Sequence, residues 1–270
     1  MNTTVRMPAV AGHFYPDKAQ ILSQEIETYT RFTGEKIKAR GCLVPHAGYM
    51  YSGHVAGAVF GRLELPRRFI ILCPNHTGRG EALAVMSEGE WLTPLGKAPL
   101  DSALAGTLKR HYDLLREDSY AHLREHALEV QLPFLQNLLP EFSFVPIAVG
   151  TTRYEVLEGL GETIAAAIQE AGEPVLVVAS SDMNHYESDE ITRIKDRRAL
   201  DRILELDPRG LFEVVTRQQI SMCGFGPAIA MLTAAKQLGA TRAELIRYAT
   251  SGDVSGDRTT VVGYAGLAVI

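Results

Sequence analysis

Phe69-Ile70-Ile71-Leu72-Cys73-Pro74-Asn75-His76 is an apolar run that stops at an asparagine and a histidine. A short, continuous apolar run of this kind reads as a strand buried on both faces. The same pattern stands earlier, where Cys42–Pro45 leads into His46-Ala47-Gly48-Tyr49. It stands again later, where Val175–Ala179 leads into Ser180-Ser181-Asp182-Met183-Asn184-His185. Further strand-like runs lie at Ala82–Met86 and Phe142–Val149. Between them, helical spacing covers 18–31, 53–63, 101–111, 122–139, 154–170, 189–205 and 224–238. Strands alternating with helices predict an α/β fold with a largely parallel central sheet flanked by helices. Near the end, Leu245–Thr250 and Thr259–Ile270 enclose the Gly/Asp-rich stretch from Ser251 to Asp257, which reads as a closing β-hairpin or a loop excursion.

The 270 residues carry no repeat and no Pro/Ser/Gly-rich linker, so one domain over 1–270 is expected. Hydrophobic residues at 46% and charged ones at 22% are ordinary globular usage and imply a sizeable core. A net charge of −5, with no long Lys/Arg run, gives no footprint for nucleic acid. The start, Met1 to Arg6, lacks the apolar stretch of a secretory signal, and no segment has the roughly 18 apolar residues of a membrane span. A cytoplasmic protein without membrane contact is expected. Three cysteines without a Cys-x-x-Cys pair imply reduced thiols rather than a disulfide framework.

The strand ends carry the chemistry. Ligands of open α/β sheets bind beyond the carboxyl ends of the strands, and His46, His76, Asp182 and His185 all emerge there. Taken alone, each histidine reads more readily as a hydrogen-bonded structural residue; the recurrence of His46, His76 and His185 at strand ends brings a functional reading level with that one. Cys223, in Met222-Cys223-Gly224-Phe225-Gly226-Pro227, precedes an apolar helix whose N-terminus favours thiolate, whereas Cys42 and Cys73 sit inside strands as small hydrophobes. Tyr49, Tyr51 and Trp91 fit a core more readily than an aromatic-lined pocket. His122-Leu123-Arg124-Glu125-His126 has the H-x-x-E-H spacing of inverted zinc peptidases, which requires both histidines on one helix face. The apolar spacing that follows reads instead as a packed helix. No dinucleotide fingerprint, Walker sequence or Gly-x-Ser-x-Gly elbow is present.

Seven motifs in order then resemble the Memo family (protein B of the AmmeMemoRadiSam system): Ala11-Gly12-His13-Phe14-Tyr15-Pro16, Pro45-His46-Ala47-Gly48-Tyr49, Pro74-Asn75-His76, Trp91-Leu92-Thr93-Pro94-Leu95-Gly96, Glu125-His126-Ala127-Leu128-Glu129, Ser180-Ser181-Asp182-Met183-Asn184-His185 and Met222-Cys223-Gly224. The resemblance implies a fold similar to the class III extradiol ring-cleaving dioxygenases, whose iron is held by two histidines and a glutamate. It places His46 and His76 at the imidazole positions and Cys223 where the carboxylate stands. His185 matches the acid/base histidine of those enzymes, and Asp182, Glu125 and His126 fall in motifs around the same pocket. His122 lies outside the motif.

What the resemblance implies is a metal-binding, dioxygenase-like redox protein acting on a small aromatic or other pocket-sized substrate. Fe(II) is the expected ion, with copper or zinc as alternatives, because a thiolate is softer than a carboxylate. The same softness puts ring cleavage in question. The rival expectation is a non-catalytic peptide-binding or adaptor protein, as animal Memo proteins resemble phosphotyrosine-signalling adaptors. A further implied role is as one component of a modification system with AMMECR-type and radical SAM proteins.

Overall fold

The apolar runs become neighbouring strands. The structure, a computed structural model, describes residues 4–270; the expectation for Met1–Thr3 lies outside the described residues. The strands are β1 (Val5–Arg6), β2 (Gly41–Val44), β3 (Arg68–Pro74), β4 (Leu83–Val85), β5 (Glu90–Thr93), β6 (Gly96–Pro99), β7 (Arg116–Glu117), β8 (Ser143–Val149), β9 (Val175–Ser180), β10 (His185–Glu187), β11 (Ala243–Thr250) and β12 (Val261–Val269). The helices are α1 (Ala19–Tyr29), α2 (Tyr49–Arg62), α3 (Ser102–His111), α4 (Leu132–Leu138), α5 (Tyr154–Ala171), α6 (Asp189–Leu204), α7 (Pro208–Arg217), α8 (Phe225–Gln237) and α9 (Gly252–Ser255).

Among the described residues, nine strands form the main sheet, in the order β10-β12-β2-β9-β3-β8-β4-β7, with β11 also paired to β12. Only the centre, β2-β9-β3-β8, is continuously parallel. The sheet is therefore mixed, which corrects the expectation of a largely parallel one. On one side the closing hairpin is real: β11 and β12 pair antiparallel, and β12 joins antiparallel to β2. On the other side β4 runs antiparallel to β8. The segment from Asn75 to Ala82 that links β3 to β4 holds no helix, so it turns the chain back instead of carrying it through a crossover. The short strands β1, β5 and β6 make a separate three-stranded sheet.

Alternation along the central strands divides the core in two. Leu43, Ile70, Leu72, Val145, Ile147, Val177 and Ala179 face the layer of α3, α5, α6, α7 and α8. Cys42, Val44, Phe69, Ile71, Cys73, Phe144 and Val178 face α1, α2 and α4. Tyr49 and Trp91 are buried in this second layer, as core aromatics, and Tyr51 packs at the edge of a small cluster beside Tyr264. Helix α2 approaches α1 along Gly53, Gly57 and Gly61. A Cβ at 57 would stand 2.4 Å from the Cβ of Tyr29, and one at 61 would stand 2.2 Å from the carbonyl oxygen of Thr30.

Two helical expectations change. Helix α7 was not foreseen, although Asp207-Pro208 is a helix start: the Asp207 carboxylate accepts the Gly210 N–H at 2.9 Å and Pro208 opens the helix. The stretch 122–139 is not one helix. A 3-10 turn at Tyr120–His122 gives way to an irregular segment, a second 3-10 turn at Glu129–Gln131 and only then α4, with Pro133 in its first turn. The Glu125 carboxylate accepts the Ala127 N–H at 2.9 Å, a local bond that competes with helix, and Pro133 offers no N–H to a helix arriving from upstream.

Candidate metal centre

Three neighbouring strands deliver the site in the same way. His46 lies two residues past the end of β2, Asp182 two past β9 and His76 two past β3, at the carboxyl ends of strands that stand side by side. Cys223 reaches the same place from the turn that opens α8. The ligating atoms of His46, His76 and Cys223 lie within 4.8 Å of one another. That spread is close to what a single ion bonded to each at roughly 2.0–2.3 Å would require.

Hydrogen bonds settle which ring nitrogens are available. The Ser180 hydroxyl donates to the Ala127 carbonyl at 2.6 Å and accepts from the Gln131 amide at 3.0 Å. The Gln131 nitrogen is fixed as a donor because it also stands 2.9 Å from the Pro45 carbonyl. With its only hydrogen committed, Ser180 Oγ can meet His46 Nδ1, at 3.0 Å, only as an acceptor. His46 therefore carries its proton on Nδ1 and presents a bare Nε2, which lies 3.2 Å from Cys223 Sγ. His76 is fixed likewise: Nδ1 donates to Glu125 Oε1 at 2.9 Å, its backbone N–H donates to Glu125 Oε2 at 2.6 Å, and Nε2 is left free. Orientation of a ligating imidazole through its other nitrogen is the common support of metal sites.

The protonation tendency of His46 agrees, while that of His76 favours its charged form beside Glu125 when no cation is bound. Burial, with the neighbouring His126 and His76, pushes His46 well below the usual histidine range and keeps it neutral. Burial alone would lower His76, but the hydrogen bond and charge of Glu125 outweigh it and raise the group. Burial would raise Glu125, yet His76 and the Ala127 N–H bring it down to about 2. Cys223 departs from expectation. Its thiol is pushed up by burial and by the Asp182 carboxylate, so the start of α8 does not make it a thiolate unaided. A cation would supply what the helix does not.

The other expected residues gather round this face in distinct positions. Asp182 accepts the backbone N–H of His46 at 2.8 Å, and its Oδ2 lies 4.0 Å from His46 Nε2. The His126 ring stacks on His76 with centroids 4.9 Å apart and meets His46 edge-on at 5.5 Å. His76, Glu125 and His126 also form a compact set of ligand atoms, but the Glu125 oxygens already serve three N–H donors, so Glu125 acts as the anchor of His76. His185 donates its backbone N–H to Ser221 Oγ and its Nδ1–H to the Ser221 carbonyl, each at 2.8 Å, leaving Nε2 free. Gln131 and Ser221 were not singled out from the sequence, because their partners lie far away along the chain. His122 is excluded from the site: fully buried beside Trp91, it does not share a helix face with His126, which removes the peptidase reading.

A family model described as Memo-like protein matches residues 6–268. The chain belongs to the Memo family. A MEMO1 family protein of Methanothermobacter thermautotrophicus is 41% identical over 276 aligned residues, covering 98% of this chain and 100% of that one. A MEMO1 family protein of Pyrobaculum arsenaticum is 44% identical, covering 97% and 98%. Among solved structures, the uncharacterized protein JW3007 from Escherichia coli K12 matches this Memo chain with a TM-score of 0.57 at 12% identity, over 84% of this chain and 99% of that one. That likeness is one of fold. In Memo terms, His46, His76 and Cys223 all fall within the matched residues. Among the described residues no helix is long and apolar enough to cross a membrane.

Proposed function

We propose that this Memo chain holds a transition-metal ion on His46, His76 and Cys223 and performs dioxygenase-like redox chemistry on a small substrate. The observation that carries the reading is the pair of fixed tautomers: Ser180 and Glu125 each take an Nδ1–H and leave a bare Nε2 on His46 and His76 beside the Cys223 sulfur. The thiolate draws the set toward Cu(I) or Zn(II), and the implied likeness to extradiol dioxygenases draws it toward Fe(II), which we take as the ion. When bound, such an ion supplies a Lewis acid and, for iron or copper, a one-electron couple.

The chain's own residues do the rest. Asp182 fixes the main chain of His46, and Glu125 fixes both the main chain and the ring of His76. His185, its ring held through Nδ1 by the Ser221 carbonyl, would accept a proton from an acidic substrate at Nε2. The stacked rings of His126 and His76, with the Phe14 ring tilted beside His126 at a centroid distance of 4.7 Å, would offer aromatic contacts to a planar substrate.

A second reading rests on exposure. The His76 side chain is 34% exposed, and Tyr186, next to His185, is 77% exposed with a φ of 63°. A face this open also suits a peptide side chain, as in an adaptor or as one component of a modification system with AMMECR-type and radical SAM partners.

Metal content measured by mass spectrometry on protein purified without added metal tests the first reading. Stoichiometric iron or copper, lost in His46→Ala, His76→Ala and Cys223→Ser, is expected. Oxygen uptake with a catechol panel after anaerobic Fe(II) loading tests turnover, and no uptake with any substrate sinks the catalytic form. An empty site that binds peptides would favour the adaptor.

A further inference from the structure

Away from the metal face, a cavity of about 590 Å³ opens between the end of α1, the flank of α2 and strand β11. Its lining includes Arg31, Arg62, Arg247 and His54 together with the rings of Tyr29 and Phe32, and it contains no carboxylate. In a chain whose net charge is −5, Arg31 and Arg247 bring two guanidinium groups without an ion-pair partner among the described residues to one cavity whose lining holds no acid, beside a third, Arg62, that is paired from outside it.

The nearby acids are taken up by Arg62 and by groups outside the cavity. Glu244 pairs with Arg62 from outside the lining. Asp253, which acts on His54, is held by Arg193 and Arg258. Among the described residues Arg31 and Arg247 form no ion pair, and Arg62 Nε is buried with no hydrogen-bond partner. The apolar wall is equally specific. Phe32 is 39% exposed, with the Arg62 guanidinium 5.8 Å from its ring centroid. Tyr29 is held against α2, since a Cβ at Gly53 or Gly57 would come within 2.8 or 2.4 Å of it, so its ring forms a fixed side to the cavity.

We propose that this cavity is a second ligand site, separate from the metal face, which binds a planar ring carrying an oxyanion. The guanidinium forks take the carboxylate or phosphate and the Phe32 and Tyr29 rings take the planar body. Aryl carboxylates and mononucleotides share that chemistry.

Calorimetric titration of the full chain with naphthoate and with adenosine monophosphate tests it, with inorganic phosphate and naphthylmethanol as the anion and the ring alone. Arg31→Gln and Arg247→Gln, both at exposed positions, serve as variants, and their metal content and melting should match the parent. At least one ring-bearing anion is expected to bind more tightly than either half alone and to move the His54 imidazole resonances. Each variant should weaken it about tenfold, the scale of one charge-assisted hydrogen bond. Naphthoate against adenosine monophosphate then tells which source the site prefers. Failure of both to bind, binding unchanged in both variants, or naphthylmethanol binding as well as naphthoate would overturn the proposal. None of these outcomes depends on whether the metal face is catalytic.

Discussion

Glu125 holds His76 at two points, accepting its backbone N–H at 2.6 Å and its ring Nδ1–H at 2.9 Å, while being fully buried itself. One carboxylate thus sets both the position and the tautomer of a proposed ligand. Glu125→Gln keeps the shape but cannot accept both bonds with one oxygen in place of two. Metal affinity is expected to fall about 10–100-fold with the chain still folded, read by competition with a chelating dye. Unchanged affinity would remove Glu125 from the support of the site.

The same pair gives a pH signature in the metal-free protein. Glu125 is depressed from 4.5 to about 2, so its contribution is complete above 4.5 and is lost as pH falls towards 2. His76 is raised above 6.5, so its contribution is complete below 6.5 and is lost as pH rises through the raised value. Denaturation midpoints across pH should therefore show this pair's contribution greatest between about 4.5 and 6.5, with both flanks flattened in Glu125→Gln. Identical profiles for parent and variant would contradict the assignment.

Ser180 is the oxygen on which the His46 tautomer depends. Ser180→Ala leaves the His46 Nδ1–H and one Gln131 N–H facing a methyl group inside the core. A loss of about 1–3 kcal/mol in chemical denaturation is expected, together with exchange between the two His46 tautomers in nitrogen NMR spectra. A single unchanged tautomer would mean that another group sets it.

Behind the metal face, where Arg6 also donates to the Glu125 carbonyl at 2.7 Å, Arg6 and Glu129 form an ion pair with side chains 1% and 0% exposed. Glu129 also accepts the Ala9 and Val10 N–H groups and the Tyr15 hydroxyl. Glu129→Ala strands a buried guanidinium and should cost roughly 3–5 kcal/mol in urea unfolding. Arg6→Ala should cost a similar amount, and the double variant less than the sum.

Much of the site was legible because it is local: an apolar run followed within two residues by histidine or aspartate marks a strand end wherever it occurs, as at Val44-Pro45-His46 and Pro74-Asn75-His76. The direction of β4 and β12 was not legible, because hydrophobic runs are alike in parallel and antiparallel strands. The helix expected over 122–139 failed because its apolar spacing is real but belongs to residues packing from turns, with Glu125 diverted to His76. Ser180 and Gln131 could not be connected to His46 without knowing that β9 lies beside β2. The thiol of Cys223 shows the limit of a motif read alone: the helix start is present, but burial outweighs it.

The glycine face of α2 has a consequence for anyone engineering the protein. Replacing helical glycine by alanine is a standard stabilising change, worth about 1 kcal/mol at an open position. Positions 53, 57 and 61 invert that rule, because each new methyl group would collide with Tyr29 or Thr30 and pry α1 from the sheet layer it covers. A thermostability library built on helix propensity alone would thus draw some of its most damaging members from the substitutions it ranks highest.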